Sequence, residues 1–310
     1  MKKFWMMLLS VSLLLLAACS NNSSQTSSTD SGSKEKLDLV VASKNFTEQY
    51  LLAQIMGQLV QSKTDHDVTI REGGFATSAV LNQGLQDGDV HVAADYSGTG
   101  YINVLQNTLQ PGDTPESVYE KTKAGYEKEL GLTWLQPFGF NNTFTLVMEE
   151  EKAKKLNINS YSDLVSHADK LVIGMDAAFY DRVDGYKGLA QKYEFEFKDH
   201  KEMDIALAFS ALADGKIDVL VAYVTDGRIP ALKLKPLEDD KGYFPPYFAA
   251  PIVSKEMVEK HPEVAEALNQ LSGKLDDRTM AELNAKVDME KKNTADVAKE
   301  FLKKSKLINE

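Results

Sequence analysis

Four aromatic residues stand at places where a folded chain could meet a small molecule. Tyr96 follows the apolar run VHVAA, Phe144 sits in FNNTF, Tyr223 ends VLVAY and Tyr247 sits in FPPYF. Each marks a point where a strand-like segment gives way to loop residues. In an open α/β sheet, ligands bind outside the carboxyl ends of the strands, so these placements point towards a cleft. Core or lip packing is the competing reading of each ring taken singly. Covalent chemistry has no visible centre. No HExxH, CxxC, GxSxG or P-loop occurs, and His66, His91, His167, His200 and His261 are scattered without metal-ligand spacing. Gly73-Gly74 and Gly98 to Gly100 do not form a dinucleotide fingerprint. The expectation is a protein that is not an enzyme and uses neither metal nor cofactor.

The elements that would carry these residues read as an alternating α/β chain. Leu37 to Ala42 opens as a strand, Glu48 to Gln61 has helical spacing, and Val68 to Arg71 is a second strand. Ala76 to Asp87 reads as a helix, Val90 to Ala94 as a strand, and Thr114 to Leu130 as an amphipathic helix with Pro115 near its start. The alternation repeats with strands at Thr145 to Met148, Leu171 to Met175 and Val219 to Tyr223. Helices begin at Ser162 and run over Asp184 to Lys192 and Met203 to Ala213. Such an order predicts mostly parallel sheets covered on both faces. After Gly242 to Pro246 the spacing turns helical over Lys255 to Gly273, Asp277 to Val287 and Thr294 to Lys304.

Composition bounds the rest. The chain has 310 residues, 43% apolar and 26% charged, which excludes a disordered or collagenous protein. Its formal net charge of −11 argues against nucleic acid as a partner, because neutralising phosphates needs a basic face. Met1 to Ala18 carries Lys2 and Lys3, then an apolar stretch, then small residues, the layout of a secretory signal peptide. Leu16-Ala17-Ala18-Cys19 resembles the bacterial lipobox, which would account for the only Cys: acyl chains on Cys19 would hold the protein on the extracytoplasmic face of a membrane. Residues 19–36 then serve as lipidated Cys and a flexible, Ser-rich tether. A monomeric folded body is expected beyond it.

The segments ASKNFTEQYLLAQI, DYSGTGY, FGFNNTF, R-x-DGY-x-GL, AYVTDGRI and FPPYFAAPIV, in this order, resemble the substrate-binding lipoproteins of ABC importers for glycine betaine, carnitine and choline. The resemblance spans Leu37 to Leu307. It implies a type II periplasmic-binding-protein fold with a ligand cleft between two lobes joined by two crossover strands. Residues 37–139 plus 247–310 would form lobe 1 and residues 140–246 lobe 2. It also implies that Tyr96, Phe144, Tyr223 and Tyr247 box a trimethylammonium head, with Lys44, Thr99 and Arg182 at the solute's other end. The partners implied are the quaternary ammonium solute and the permease subunits of the importer.

Physical chemistry agrees with such a box. A quaternary ammonium has no N–H to donate, so hydrogen-bond acceptors cannot select it, whereas aromatic faces can. Phe144 stands where the family usually has Tyr; the ring face survives and the hydroxyl is lost. Arg182 could pair with a carboxylate, and a neutral Thr99, which repels no carboxylate tail, favours a broad acceptor over a choline-only one. Asn142 and Asp226 read as turn-shaping residues beside the box. A same-fold binding lipoprotein for another small cation or amino acid is the alternative. An anchored hydrolase lacks a nucleophile–base pair, and an adhesin would need an exposed apolar patch.

Overall fold

A computed structural model describes residues 36–110 and 112–309. Cys19, the segment before it and the Ser-rich stretch after it lie outside the described residues.

Two five-stranded sheets form the cores of two lobes. The first contains β1 (Asp38–Lys44), β2 (Asp67–Phe75), β3 (Val92–Tyr96) and β4 (Leu132–Trp134). The second contains β5 (Phe144–Glu149), β6 (Val172–Met175), β7 (Asp199–Glu202), β8 (Val219–Tyr223) and β9 (Leu234–Pro236). The chain then returns to the first sheet as β10 (Ala249–Ser254), giving the orders β2-β1-β3-β10-β4 and β7-β6-β8-β5-β9. These orders are the same topology written twice: β6 to β9 repeat β1 to β4, and β5 takes the place that β10 takes in the first sheet. No residue of β3 is exposed, and β1 and β8 are almost as well covered, because helices cover both faces.

The sheets are less parallel than the alternation suggests. β1 pairs in parallel with β2 and β3, and β6 with β7 and β8. β10 runs antiparallel to β3 and β4, and β5 antiparallel to β8 and β9. β5 and β10 are the first strands after each passage between sheets. They enter from the direction of the other lobe rather than through a helical crossover, so their sense is reversed. The two passages run side by side, with Asn141 bridging to Phe248 and the Asn142 N–H donating to the Tyr247 carbonyl at 3.2 Å.

The helix Thr47–Lys63 buries Leu51, Leu52, Ile55, Met56, Leu59 and Val60. It packs on β1 and β2 and against the C-terminal helix Thr294–Lys304, so the chain's end belongs to the first lobe's core. Pro115 opens Pro115–Glu129 behind a Thr114–Ser117 capping box. The expected helix over Lys255 to Gly273 is two, Lys255–Lys260 and Pro262–Asn269. Pro262 has no N–H to continue the first helix and a fixed φ suited to starting the second.

Candidate functional site

The sheet registers bring the strand-end rings together. Tyr96 is the last residue of β3 and faces Ala249 of β10, two residues after Tyr247; Tyr223 is the last residue of β8 and faces Phe144, the first of β5. The repeated topology therefore supplies an aromatic residue at the carboxyl end of the equivalent strand in each sheet, and the first residue of β5 and the passage leading to β10 add one each. Phe144 lies with its ring centroid 4.9 Å from that of Tyr223 and 5.6 Å from Tyr247, the latter edge to face. Lys44, Tyr96, Thr99, Phe144, Arg182, Tyr223 and Tyr247, the seven residues singled out by sequence, all line one small cavity.

Two further residues line it that sequence reasoning treated differently. Phe46 stacks on Tyr223 at 5.5 Å and on Tyr96 at 6.4 Å, joining rings from the two sheets into one wall. Asn142, read as a turn residue, donates its amide to Glu48 at 2.7 Å. Glu48 is the residue sequence reasoning missed entirely. It is fully buried and accepts hydrogen bonds from Tyr96 Oη (2.7 Å), Thr225 Oγ1 (2.5 Å) and Asn284 Nδ2 (3.1 Å) as well. Burial pushes its carboxyl pKa up, and the four hydrogen bonds oppose that shift without cancelling it. An acid in a helix's first turn ordinarily reads as a favourable partner for the dipole, which hid its role. The visible signal was its place in the ASKNFTEQYLLAQI block.

The cations beside the rings are already paired within the chain. Lys44 Nζ donates to Asp95 at 2.7 Å and Ser78 at 3.1 Å, and it lies 4.8 Å from the Tyr96 ring centroid. The Arg182 guanidinium sits 5.0 Å from the Phe144 centroid and 5.9 Å from that of Tyr247. Its Nε and Nη2 donate to the two Asp184 oxygens at 2.8 and 2.7 Å, and Nη2 also reaches Thr99 Oγ1 at 3.2 Å. The bidentate face that sequence reasoning offered to a carboxylate is therefore occupied by Asp184, and among the described residues Nη1 alone has no partner. Burial disfavours the Arg182 charge, but Asp184 outweighs it and raises the pKa; burial likewise raises that of Asp184, and Arg182 outweighs it and lowers it. Asp184 also accepts from Tyr247 Oη and from Asn103 Nδ2. Asp226 receives Arg228 Nη2 at 2.5 Å, an ion pair rather than a bare turn.

One grouping departs from the expectation of singly scattered histidines. His66, His261 and Glu263 place ligand-capable atoms within 4.8 Å of one another. The tautomer opposes metal binding there. The Leu37 N–H donates to His66 Nδ1 at 3.2 Å, so the ring proton belongs on Nε2, which faces Glu263 at 3.1 Å. A metal on Nε2 would require that proton on Nδ1, against the Leu37 N–H.

Comparison with known proteins points the same way as this geometry. Residues 38–304 match the family described as the substrate binding domain of ABC-type glycine betaine transport systems. The carnitine transport binding protein of Listeria monocytogenes is 34% identical over 276 residues, covering 88% of this chain and 89% of that protein. The glycine-betaine-binding protein of Pseudomonas aeruginosa is 35% identical over 291 residues, covering 90% and 92%. An ergothioneine transport permease/ergothioneine binding protein of Helicobacter pylori (strain G27) is 38% identical over 272 residues; these are 87% of this chain but 48% of that longer protein. The solved structure titled a glycine betaine/carnitine/choline ABC transporter superposes with a TM-score of 0.73 at 32% identity, covering 89% of this chain and 100% of that one. Two sheets of one topology, a ring-lined cavity and a family match over nearly all the described residues converge: this chain belongs to the substrate-binding proteins of the ABC-type glycine betaine transport family, a two-lobed periplasmic-binding-protein fold and not an enzyme.

Proposed function

We propose that this protein captures a quaternary ammonium solute of the glycine betaine, carnitine and choline class between its lobes and delivers it to the permease of an ABC importer. The lobes are taken as residues 37–139 plus 247–310 and residues 140–246, hinged at the paired passages near Asn141 and Phe248. The observation that carries the reading is the convergence of Tyr96, Phe144, Tyr223 and Tyr247 on one cavity.

Each desolvated aromatic face is worth up to about 2 kcal/mol to a cation, and association costs at least about 4 kcal/mol of lost freedom, so several faces are required. Arg182 Nη1 and the third Lys44 proton attract a carboxylate tail, while Asp184 and Asp95 already neutralise both cations. The site thus draws a zwitterion without presenting an excess positive charge to its head. The bonds that Arg182 Nη2 donates to Thr99 and that Asn103 Nδ2 donates to Asp184 span the proposed lobes, and ligand-driven closure forms or tightens them. Acyl chains on Cys19 tether the monomeric body to the outer face of the cell membrane.

Calorimetric titration with glycine betaine and carnitine tests the box. Tyr223→Ala removes one face and is expected to weaken binding about tenfold to thirtyfold. An unchanged Kd for both solutes refutes the assignment.

A further inference from the structure

Gly227 lies just beyond the box ring Tyr223, and its backbone angles, φ −64° and ψ −14°, suit any residue. Space, not conformation, requires glycine there. A Cβ would lie 2.5 Å from the Ala285 Cβ, 2.6 Å from the Ala285 nitrogen and 2.7 Å from the Ala281 carbonyl oxygen. Two of these three atoms are backbone and cannot rotate aside. Ala281 and Ala285 belong to the helix Asp277–Asp288 of proposed lobe 1, whereas Gly227 belongs to proposed lobe 2. The missing side chain therefore marks a place where one lobe sits directly on the other.

The residues beside Gly227 make the same crossing. The Thr225 carbonyl accepts from Asn284 Nδ2 at 3.0 Å, and Thr225 Oγ1 donates to Glu48 at 2.5 Å. Arg228 Nε stands 4.0 Å from an Asp288 oxygen. Ala281, Asn284, Ala285 and Asp288 are three or four residues apart and so share one helix face. Thr225, Gly227 and Asn284 are all buried in this seam. The seam is also tied to the box: the Asp226 N–H donates to the Tyr223 carbonyl at 3.0 Å, a tight turn that fixes the seated stretch against that ring's backbone. Neither Gly227 nor Ala285 lines the box.

Resting on the capture reading above, we infer that Gly227 is a positioning residue for solute capture: its bare Cα lets lobe 2 seat on the helix Asp277–Asp288, and that seat fixes how far the cleft closes and where Tyr223 stands in it. Opening the cleft separates the two surfaces, so an added methyl is tolerated in the open form and crowded only in the closed one. It then lowers the fraction of the protein able to close, and the apparent Kd rises by that factor.

Calorimetry and small-angle X-ray scattering with glycine betaine test this on the purified protein. The unaltered protein is expected to bind and to compact at saturation. Gly227→Ala is expected to bind at least about tenfold more weakly and to keep a larger radius of gyration at saturation, with unchanged far-UV circular dichroism. An unaltered Kd in the variant overturns the inference, and so does weaker binding with full compaction. Should Gly227→Ala fail to fold, Ala285→Leu adds bulk from the other side of the seam and is read by the same two outcomes. If the unaltered protein binds and compacts while the variants match it, the seat alone falls. If the unaltered protein binds none of glycine betaine, carnitine and choline, or binds without compacting, the capture reading falls and the inference with it.

Discussion

Phe144 shows how far a single residue can be read from sequence. Its place in FNNTF marked it as a strand-edge ring, but only pairing with Tyr223 across the sheet shows which ring it would share a cation with. Since its hydroxyl is absent and its π face present, Phe144→Tyr is expected to change affinity for glycine betaine by less than about threefold, whereas Phe144→Ala costs about tenfold or more. Thr99→Asp places a carboxylate beside Arg182 and the solute's tail; a titration series is expected to show glycine betaine weakened relative to choline, and an unchanged ratio contradicts the tail assignment. Glu48 was invisible because its function depends on partners from four distant segments. It binds a proton more tightly in the folded than in the unfolded chain, so its charged form costs stability. That cost shrinks as pH falls from the raised value towards the ordinary carboxylate range, and below that range Glu48 adds no further slope. Glu48→Gln removes this slope. As pH falls from neutrality to the ordinary carboxylate range, the melting temperature of the unaltered protein is expected to rise relative to the variant's, and parallel curves contradict the assignment. Asp184, whose pKa is lowered, acts in the opposite sense: its contribution is full above the ordinary carboxylate range and is lost only in more acid solution.

At the scale of elements, the strands that carry the site were the legible ones. β8 is a continuous apolar run and β3 is one interrupted only by Asp95, both almost wholly buried, and such runs announce themselves. β7, Asp199–Glu202, is charged and exposed along its whole length at a sheet edge, and β4 and β9 are three residues each, so no apolar period marks them. The antiparallel sense of β5 and β10 follows from passage between lobes, which is a property of topology and not of either strand's composition. Gly98, just after β3, shows how tightly these elements are set. A Cβ there would lie 2.8 Å from the Pro246 carbonyl oxygen and 2.8 Å from the Tyr247 ring. Gly98→Ala must therefore displace the returning passage and its ring. It is expected to cost about 1–3 kcal/mol in stability and to weaken betaine binding about tenfold with unchanged far-UV circular dichroism. Retained affinity would separate Tyr247 from the site.

For the molecule as a whole, the two sheets repeat one topology and exchange one strand position, so the cleft between them inherits strand ends from both. Sequence periodicity gave the α/β class, while the two-lobed division came from the ordered resemblance of six segments, because no local pattern records which strand leaves one sheet for the other. Among the described residues no helix is long and apolar enough to cross a membrane, and the proposed anchor is the lipid on Cys19. Cys19→Ser is expected to abolish palmitate labelling and release the protein into the medium; continued membrane retention without label contradicts the anchor. The central claim is that aromatic faces from both lobes hold a permanently methylated nitrogen. A crystal structure with bound glycine betaine measures it directly. The account predicts the nitrogen within about 6 Å of the ring centroids of Tyr96, Phe144, Tyr223 and Tyr247; a betaine bound elsewhere, with those rings packed only against one another, would contradict it.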